Sequence, residues 1–277
     1  MKLAIQWLHD NQRVNIVLVV ALAIIYPLIH DKASQPFYWM VDQLGHKAFH
    51  LYLNIFFTCV LISMVYIVYY KIREHGEKKN ILIYGIATLF GILAAYLTLM
   101  PYRSEGMHFI QYALLGIIVT PLSPSLFYAI VLSTFIGYLD EYYQYFVTQK
   151  YYLDFNDLVL NVLASALGVI LSYTFWKRPS DTKFSYSVKS LLKTPYTGIL
   201  LLALIIFFGL QLGLFSVFKE SDGVYPLARH PKEDFDTNFW YTVSFKTTWH
   251  RIRTYPGLLI MCLIPLLYYN IDKPSNQ

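Results

Sequence analysis

Three pairs of polar residues in the middle of the chain have side chains that suit acid–base chemistry or the binding of a polar ligand. Within each pair the residues are three or four positions apart, and the pairs are His108 and Tyr112, Glu141 and Gln144, and Asp157 and Asn161. Residues at this spacing lie on one face of a helix. An imidazole and two carboxylates that meet are able to transfer protons. The sequence therefore offers His108, Glu141 and Asp157 as candidate catalytic residues, provided that three helices bring them together.

The distribution of charge indicates which elements would position these residues. Only 14% of the residues are charged, and the net charge is +5. Stretches near 20 residues without Lys, Arg, Asp or Glu are typical of transmembrane helices. The chain has seven stretches of 16 residues or more without such charges, namely 14–29, 51–70, 80–102, 106–139, 158–176, 194–218 and 254–271. This pattern excludes an ordinary globular enzyme, a disordered protein and a disulfide-stapled secreted domain.

The fourth of these stretches is long enough for two short helices. Residues 120–124 read Thr-Pro-Leu-Ser-Pro in its middle, and two prolines predict a turn there because proline blocks helix continuation. The prediction is an all-α, polytopic transmembrane helical bundle of about eight spans. It divides into two N-terminal helices in 1–79, a core in 80–176, and two C-terminal helices in 177–277 with an external loop at about 219–253.

Basic loops predict the orientation of the bundle in the plasma membrane. Loops 71–79 and 177–193 are rich in Lys and Arg and fall on the same side of an eight-helix zigzag as both termini. The positive-inside rule therefore predicts cytoplasmic termini. The loop at 219–253 mixes basic and acidic residues on the opposite side. This loop contains Trp240, Trp249, His230 and His250. They predict an interfacial amphipathic element rather than a metal site, because no ligand spacing recurs.

Short spans draw the polar pairs below the membrane surface. The two halves of 106–139 would each reach only about 21–23 Å, against a hydrocarbon core of about 30 Å. We therefore expect the first half to recruit residues before Gly106, and the second half to continue past Leu139, which places Asp140, Glu141 and Gln144 at membrane depth. The next helix is expected to begin near Phe155. Polar groups at this depth should point toward one another rather than toward lipid. The sequence thus predicts a polar pocket, open to the outer side and walled by three consecutive helices.

Several kinds of chemistry are disfavoured by what the sequence lacks. It contains no G-x-S-x-G, H-E-x-x-H, P-loop or dinucleotide fingerprint. Cys59 and Cys262 fall inside apolar stretches, and no basic stripe on a soluble domain supports nucleic-acid binding. A divalent-cation site formed by His108, Glu141 and Asp157 is conceivable, but residue types alone would support it. The prediction therefore includes no metal and no cofactor. Simple cross-linking of the bundle is the other interpretation of the polar pairs.

The motifs that carry these residues resemble the VanZ-like family, named for an accessory protein of glycopeptide-antibiotic resistance. The resemblance covers about residues 80–176 and rests on three blocks in order. They are HFIQYALLG beginning at His108, DEYYQ beginning at Asp140, and DFNDLVLN beginning at Asp154 and followed by Gly168. Two positions depart from the family pattern. Ala164 stands where the family has a glycine, and Tyr151 where it usually has an arginine, with Lys150 beside it as a possible substitute in ligand binding.

The resemblance implies a bacterial cell-envelope membrane protein, with low-level teicoplanin resistance attributed to the founding member, and no established reaction. The first hypothesis is an accessory factor that binds an amphiphilic envelope ligand, a lipoglycopeptide or a lipid-linked cell-wall precursor, through Tyr112, Gln144, Lys150 and Asn161. The alternative is an enzyme that acts on such a precursor with Glu141 and His108 as acid and base. A transporter is disfavoured because no inverted repeat is evident. Membrane lipids are the remaining expected partners, and the oligomeric state is left open.

Overall fold

In the computed structural model of the chain, helices dominate the part that the structure describes. The described residues are 7, 11–75, 79–100, 106–146, 155–175, 205, 240–244, 248–252 and 254–272. The helices are α1 (Gln12–His75), α2 (Lys79–Thr98), α3 (Gly106–Val119), α4 (Leu126–Phe146), α5 (Phe155–Phe175) and α6 (Thr254–Leu267). Two strands, β1 (Trp240–Ser244) and β2 (Thr248–Ile252), precede α6.

Helix α1 contains both predicted N-terminal helices, joined at a break. Gly45 has φ 73° and ψ 154°, which lie outside the helical region and which glycine adopts without a Cβ clash. Residues 30–50 lie between the first two uncharged stretches and were expected to form a connection. They are instead helical on both sides of Gly45. Pro27 and Pro36 lie within the first half of α1.

Within the part of the chain that the structure describes, four helical segments are long and apolar enough to cross a membrane. They are Arg13–His30, Lys47–Tyr66, Ile81–Thr98 and Phe155–Tyr173, and Gly106–Leu122 is a shorter apolar helix. Large apolar side chains such as Leu51, Ile62 and Phe90 are more than half exposed on α1 and α2. A surface of this kind suits contact with lipid.

Helix α5 is the central helix, because it packs against each of the other five. Its closest neighbour is α3, and glycines allow the approach. A Cβ at Gly168 would lie 2.7 Å from the carbonyl carbon of Ala113, and one at Gly116 would lie 3.0 Å from the backbone nitrogen of Val169. Small residues at helix interfaces permit this close backbone packing in membrane proteins. The two backbones are thus fixed at short range in the middle of the bundle.

The turn predicted at the two prolines is confirmed. Thr120–Leu122 form one turn of 3-10 helix between α3 and α4. The side-chain amide of Asn15 donates to the carbonyl oxygen of Leu122 (2.9 Å), which ties the start of α1 to this end of the bundle. The carboxylate of Asp272 accepts hydrogen bonds from the backbone N–H groups of Leu126 and Phe127, both at 3.0 Å. A carboxylate at the N-terminus of a helix satisfies unpaired donors and complements the helix dipole.

A β-hairpin departs from the all-α prediction. Strands β1 and β2 are antiparallel, with Trp240 opposite Ile252. The backbone N–H of Ile252 donates to the side-chain oxygen of Asn156 (2.9 Å), whose nitrogen donates to the carbonyl oxygen of Leu99 (2.7 Å). The hairpin is therefore held against the start of α5. Trp249 and His250 lie on β2, whereas His230 and most of the predicted loop at 219–253 lie outside the described residues.

Candidate functional site

Three consecutive helices bring one imidazole and two carboxylates close together. His108 is the third residue of α3, Glu141 lies in the last two turns of α4, and Asp157 is the third residue of α5. One ligand atom from each of the three lies within 4.8 Å of the others. The Nε2 atom of His108 is 3.9 Å from Oδ2 of Asp157. The early turn of α5 also favours a negative charge at Asp157, because the helix dipole is positive there.

Asn161 lies beside this group, one turn further along α5 than Asp157. Its side-chain amide nitrogen is 3.5 Å from Oε1 of Glu141. A glycine on α4 provides the space, because a Cβ at Gly137 would lie 3.1 Å from the ring of Tyr112 and 3.6 Å from the Cβ of Asn161. Glu141 and Asn161 are each only 1% exposed, so their polar atoms depend on one another and on their neighbours.

A second set of contacts centres on Asp140, the residue before Glu141. Its Oδ2 accepts a hydrogen bond from the hydroxyl of Tyr112 and lies 2.7 Å from Nδ1 of His30. The side-chain nitrogens of Gln111 and Gln144 are 3.0 and 3.3 Å from the same Nδ1. Asp140 is fully buried. A buried carboxylate requires donors such as the Tyr112 hydroxyl and the His30 ring nitrogen, because an unpaired buried charge costs several kcal/mol.

The two sets of contacts are continuous through their rings. The ring centroids of His30 and His108 are 5.3 Å apart, and the ring of His108 stacks on that of Tyr112 at 6.1 Å. Tyr26 packs edge-on against Tyr112 at 5.5 Å. From the residues that these contacts join, we define eight as the polar cluster: His30, His108, Tyr112, Asp140, Glu141, Gln144, Asp157 and Asn161.

Two members of the polar cluster were not among the predicted site residues. His30 comes from α1, so four helices contribute to the cluster rather than the predicted three. His30 is the last residue of the first candidate span. The predicted topology places this end of the span on the same side as His108, so the sequence did contain a signal for it. Asp140 was predicted only to lie at membrane depth, because the helical spacing drew attention to Glu141 and Gln144. Lys150 lies outside the described residues.

The polar cluster contains three carboxylates and two imidazoles, and among the described residues the imidazoles of His30 and His108 approach the carboxylates of Asp140 and Asp157. Helices α3, α4 and α5 contain neither Lys nor Arg. Lys32, the nearest basic residue along α1 beyond His30, is exposed. Carboxylates that are buried in this way are stabilised by hydrogen-bond donors and by positive charge. Such a group is able to transfer protons, to hydrogen-bond a polar ligand or to coordinate a metal ion.

No protein-family model, curated protein or solved structure matches this chain. The resemblance of residues 80–176 to the VanZ-like family therefore rests on the three blocks of sequence. Within the part of the chain that the structure describes, these blocks lie on α3, α4 and α5, and they contribute seven of the eight residues of the polar cluster.

Proposed function

We propose that this chain is a VanZ-like integral protein of the bacterial plasma membrane that binds the polar head of an amphiphilic envelope ligand at the polar cluster. The observation that supports the proposal is the convergence of His108, Glu141 and Asp157 within 4.8 Å at one end of apolar helices. Ionisable groups inside membrane bundles are costly and typically mark ligand or ion sites. The ligand class is a lipoglycopeptide of the teicoplanin type or a lipid-linked cell-wall precursor.

The proposed orientation places the polar cluster just beneath the outer surface. In it, eight spans zigzag from a cytoplasmic N-terminus to a cytoplasmic C-terminus, and His30, His108 and Glu141 all lie at outer helix ends. An amphiphile in the outer leaflet would then bring its polar head to the cluster while its acyl chains stay beside the exposed apolar faces of α1 and α2.

Cysteine labelling in intact cells tests this orientation. In a chain in which Cys59 and Cys262 are replaced by serine, single cysteines are introduced at Gly76 and Thr148. A membrane-impermeant maleimide is expected to label the second position in intact cells and the first only after the cells are opened. Labelling at position 76 in intact cells would overturn the orientation.

Antibiotic susceptibility tests the binding function. A teicoplanin-sensitive host expresses the wild-type chain, the Glu141→Gln variant or the Ser133→Ala variant. Ser133→Ala is the control, because it removes a buried hydroxyl of α4 that donates to the carbonyl oxygen of Ala129 in the same helix. Wild type and Ser133→Ala are expected to raise the inhibitory concentration of teicoplanin, and Glu141→Gln is expected not to, at equal amounts of protein in the membrane. Equal susceptibility of all four strains, including the empty host, would overturn the lipoglycopeptide proposal.

Catalysis on a lipid-linked precursor is a second candidate, and the pairing of imidazoles with carboxylates favours it. His30 meets Asp140 at 2.7 Å and His108 approaches Asp157 at 3.9 Å. A carboxylate that orients an imidazole is a recurrent arrangement for general acid–base catalysis. Purified protein incubated with labelled polyprenyl-linked precursors, with and without added divalent metals, would show turnover that His108→Gln abolishes. Unchanged precursor under every metal would exclude this candidate.

A further inference from the structure

We propose that the polar cluster binds one divalent cation, of the Zn²⁺ or Mn²⁺ type, through His108, Glu141 and Asp157. The three residues each offer one ligand atom, and these atoms lie within 4.8 Å of one another. One imidazole nitrogen with carboxylate oxygens is a donor set that suits borderline divalent ions, since imidazole favours Zn²⁺ and carboxylates also bind Mn²⁺. This inference shares its residues with the proposed function but does not require an envelope ligand.

The spacing of the three atoms is close to what such an ion needs. Three atoms no more than 4.8 Å apart have a point that is within about 2.8 Å of all of them. Zinc–nitrogen and zinc–oxygen bonds measure about 2.0–2.2 Å, so each side chain has to move inward by less than about 1 Å. Rotation of Glu141 and Asp157 about their own side-chain bonds supplies movements of this size without shifting a helix.

Asn161 provides an independent observation at the same place. Its side chain lies against Glu141, and the residue is 1% exposed. Its oxygen Oδ1 is buried and has no hydrogen-bond partner among the described residues. Buried polar atoms almost always have a partner, so an unpaired acceptor on the side chain that approaches Glu141 indicates that a donor or a cation belongs there. Amide oxygens are ordinary ligands for hard and borderline cations.

A divalent ion would also change what the polar cluster attracts. It would place positive charge beside the carboxylates of Glu141 and Asp157. The cluster would then attract the phosphate or carboxylate of a ligand, which the two carboxylates on their own would repel.

Metal content measured on purified full-length protein tests the site. The protein in detergent micelles is treated with chelator and dialysed against Zn²⁺ or Mn²⁺, and bound metal is counted by elemental analysis. At least one of the two metals is expected to bind at about one ion per chain, and Glu141→Gln and Asp157→Asn each to weaken its binding by at least about 100-fold. Asp42→Asn is the matched control, because it neutralises an exposed carboxylate of α1 and is expected to leave binding unchanged.

Two results would overturn the cation site: a folded wild-type protein that binds neither metal, or folded Glu141 and Asp157 variants that bind as wild type does. If the variants do not fold, X-ray absorption at the metal edge of the loaded wild type decides. Nitrogen and oxygen ligands with the scattering of an imidazole support the site, and a sulfur ligand or no imidazole excludes it. Failure of the metal experiment leaves the susceptibility experiment unaffected, and bound metal without a change in susceptibility would remove only the proposed function.

Discussion

Adding one methyl group at Gly168 is expected to force α3 and α5 apart. A Cβ at this position would lie 2.7 Å from the carbonyl carbon of Ala113 and 2.9 Å from its Cα, with the carbonyl oxygen closer still. Cβ atoms in proteins do not approach other heavy atoms to less than 3.0 Å. Because the opposing atoms belong to the backbone, no side-chain rotation relieves the clash, and the helices have to separate by on the order of 1 Å.

The expected loss of stability follows from two opposing terms. Overpacking a close-packed interior costs about 1–3 kcal/mol, and a clash with backbone lies at the upper end. Alanine is a better helix former than glycine by about 1 kcal/mol, which offsets part of the loss. The net expectation for Gly168→Ala is a destabilisation of about 2 kcal/mol. Gly91→Ala is the control, because its Cβ would meet only the flexible end of Leu163 at 3.3 Å.

Unfolding in mixed detergent micelles with increasing sodium dodecyl sulfate, followed by circular dichroism, measures the difference. Gly91→Ala is expected to unfold at or slightly above the wild-type midpoint, and Gly168→Ala clearly below it. If the two variants unfolded at the same midpoint, the close backbone packing of α3 against α5 would not be the feature that stabilises the bundle.

Three further substitutions have defined expectations in the same unfolding experiment. Asp272→Ala removes the acceptor at the N-terminus of α4 and should cost about 1–2 kcal/mol; no change would mean that water replaces the cap. His30→Gln leaves Asp140 buried without its imidazole and should lower the free energy of unfolding by about 3 kcal/mol. Adding Asp140→Asn should recover part of this loss. If the effects of the two substitutions simply added, the pair would not be coupled. Asn156→Ala breaks the hydrogen bonds to Leu99 and Ile252 and should cost about 2 kcal/mol, with faster proteolysis of the hairpin; intact protease resistance would contradict this role.

Local sequence features predicted much of the bundle. Prolines at 121 and 124 correctly placed the turn between α3 and α4, and Phe155 was correctly expected near the start of the next helix. The extension of α4 beyond Leu139 followed from the length of helix needed to cross a bilayer, and α4 does continue to Phe146. The turn depends on the local backbone chemistry of proline, and the helix extension depends on the thickness of the bilayer. Both can therefore be predicted from one sequence.

The parts that were missed depend on contacts between distant positions. His30 and Asp140 are 110 residues apart, and Asp272 is 146 residues from the helix that it caps. No spacing rule connects such residues without an alignment. The hairpin had a local signal, because β1 is made of Trp, Tyr, Thr, Val and Ser, most of which favour strands. The same aromatic residues are also typical of a membrane interface, which is why the sequence predicts an amphipathic interfacial element there.

The contact between His30 and Asp140 also sets an order of events during biosynthesis. His30 leaves the ribosome 110 residues before Asp140, a delay of about 5–20 s at usual rates of synthesis. During that interval the first helix has an imidazole and no carboxylate to receive it. The polar cluster is therefore completed only after α4 has been synthesised, and a chain that lost its first helix would lack the imidazole beside Asp140.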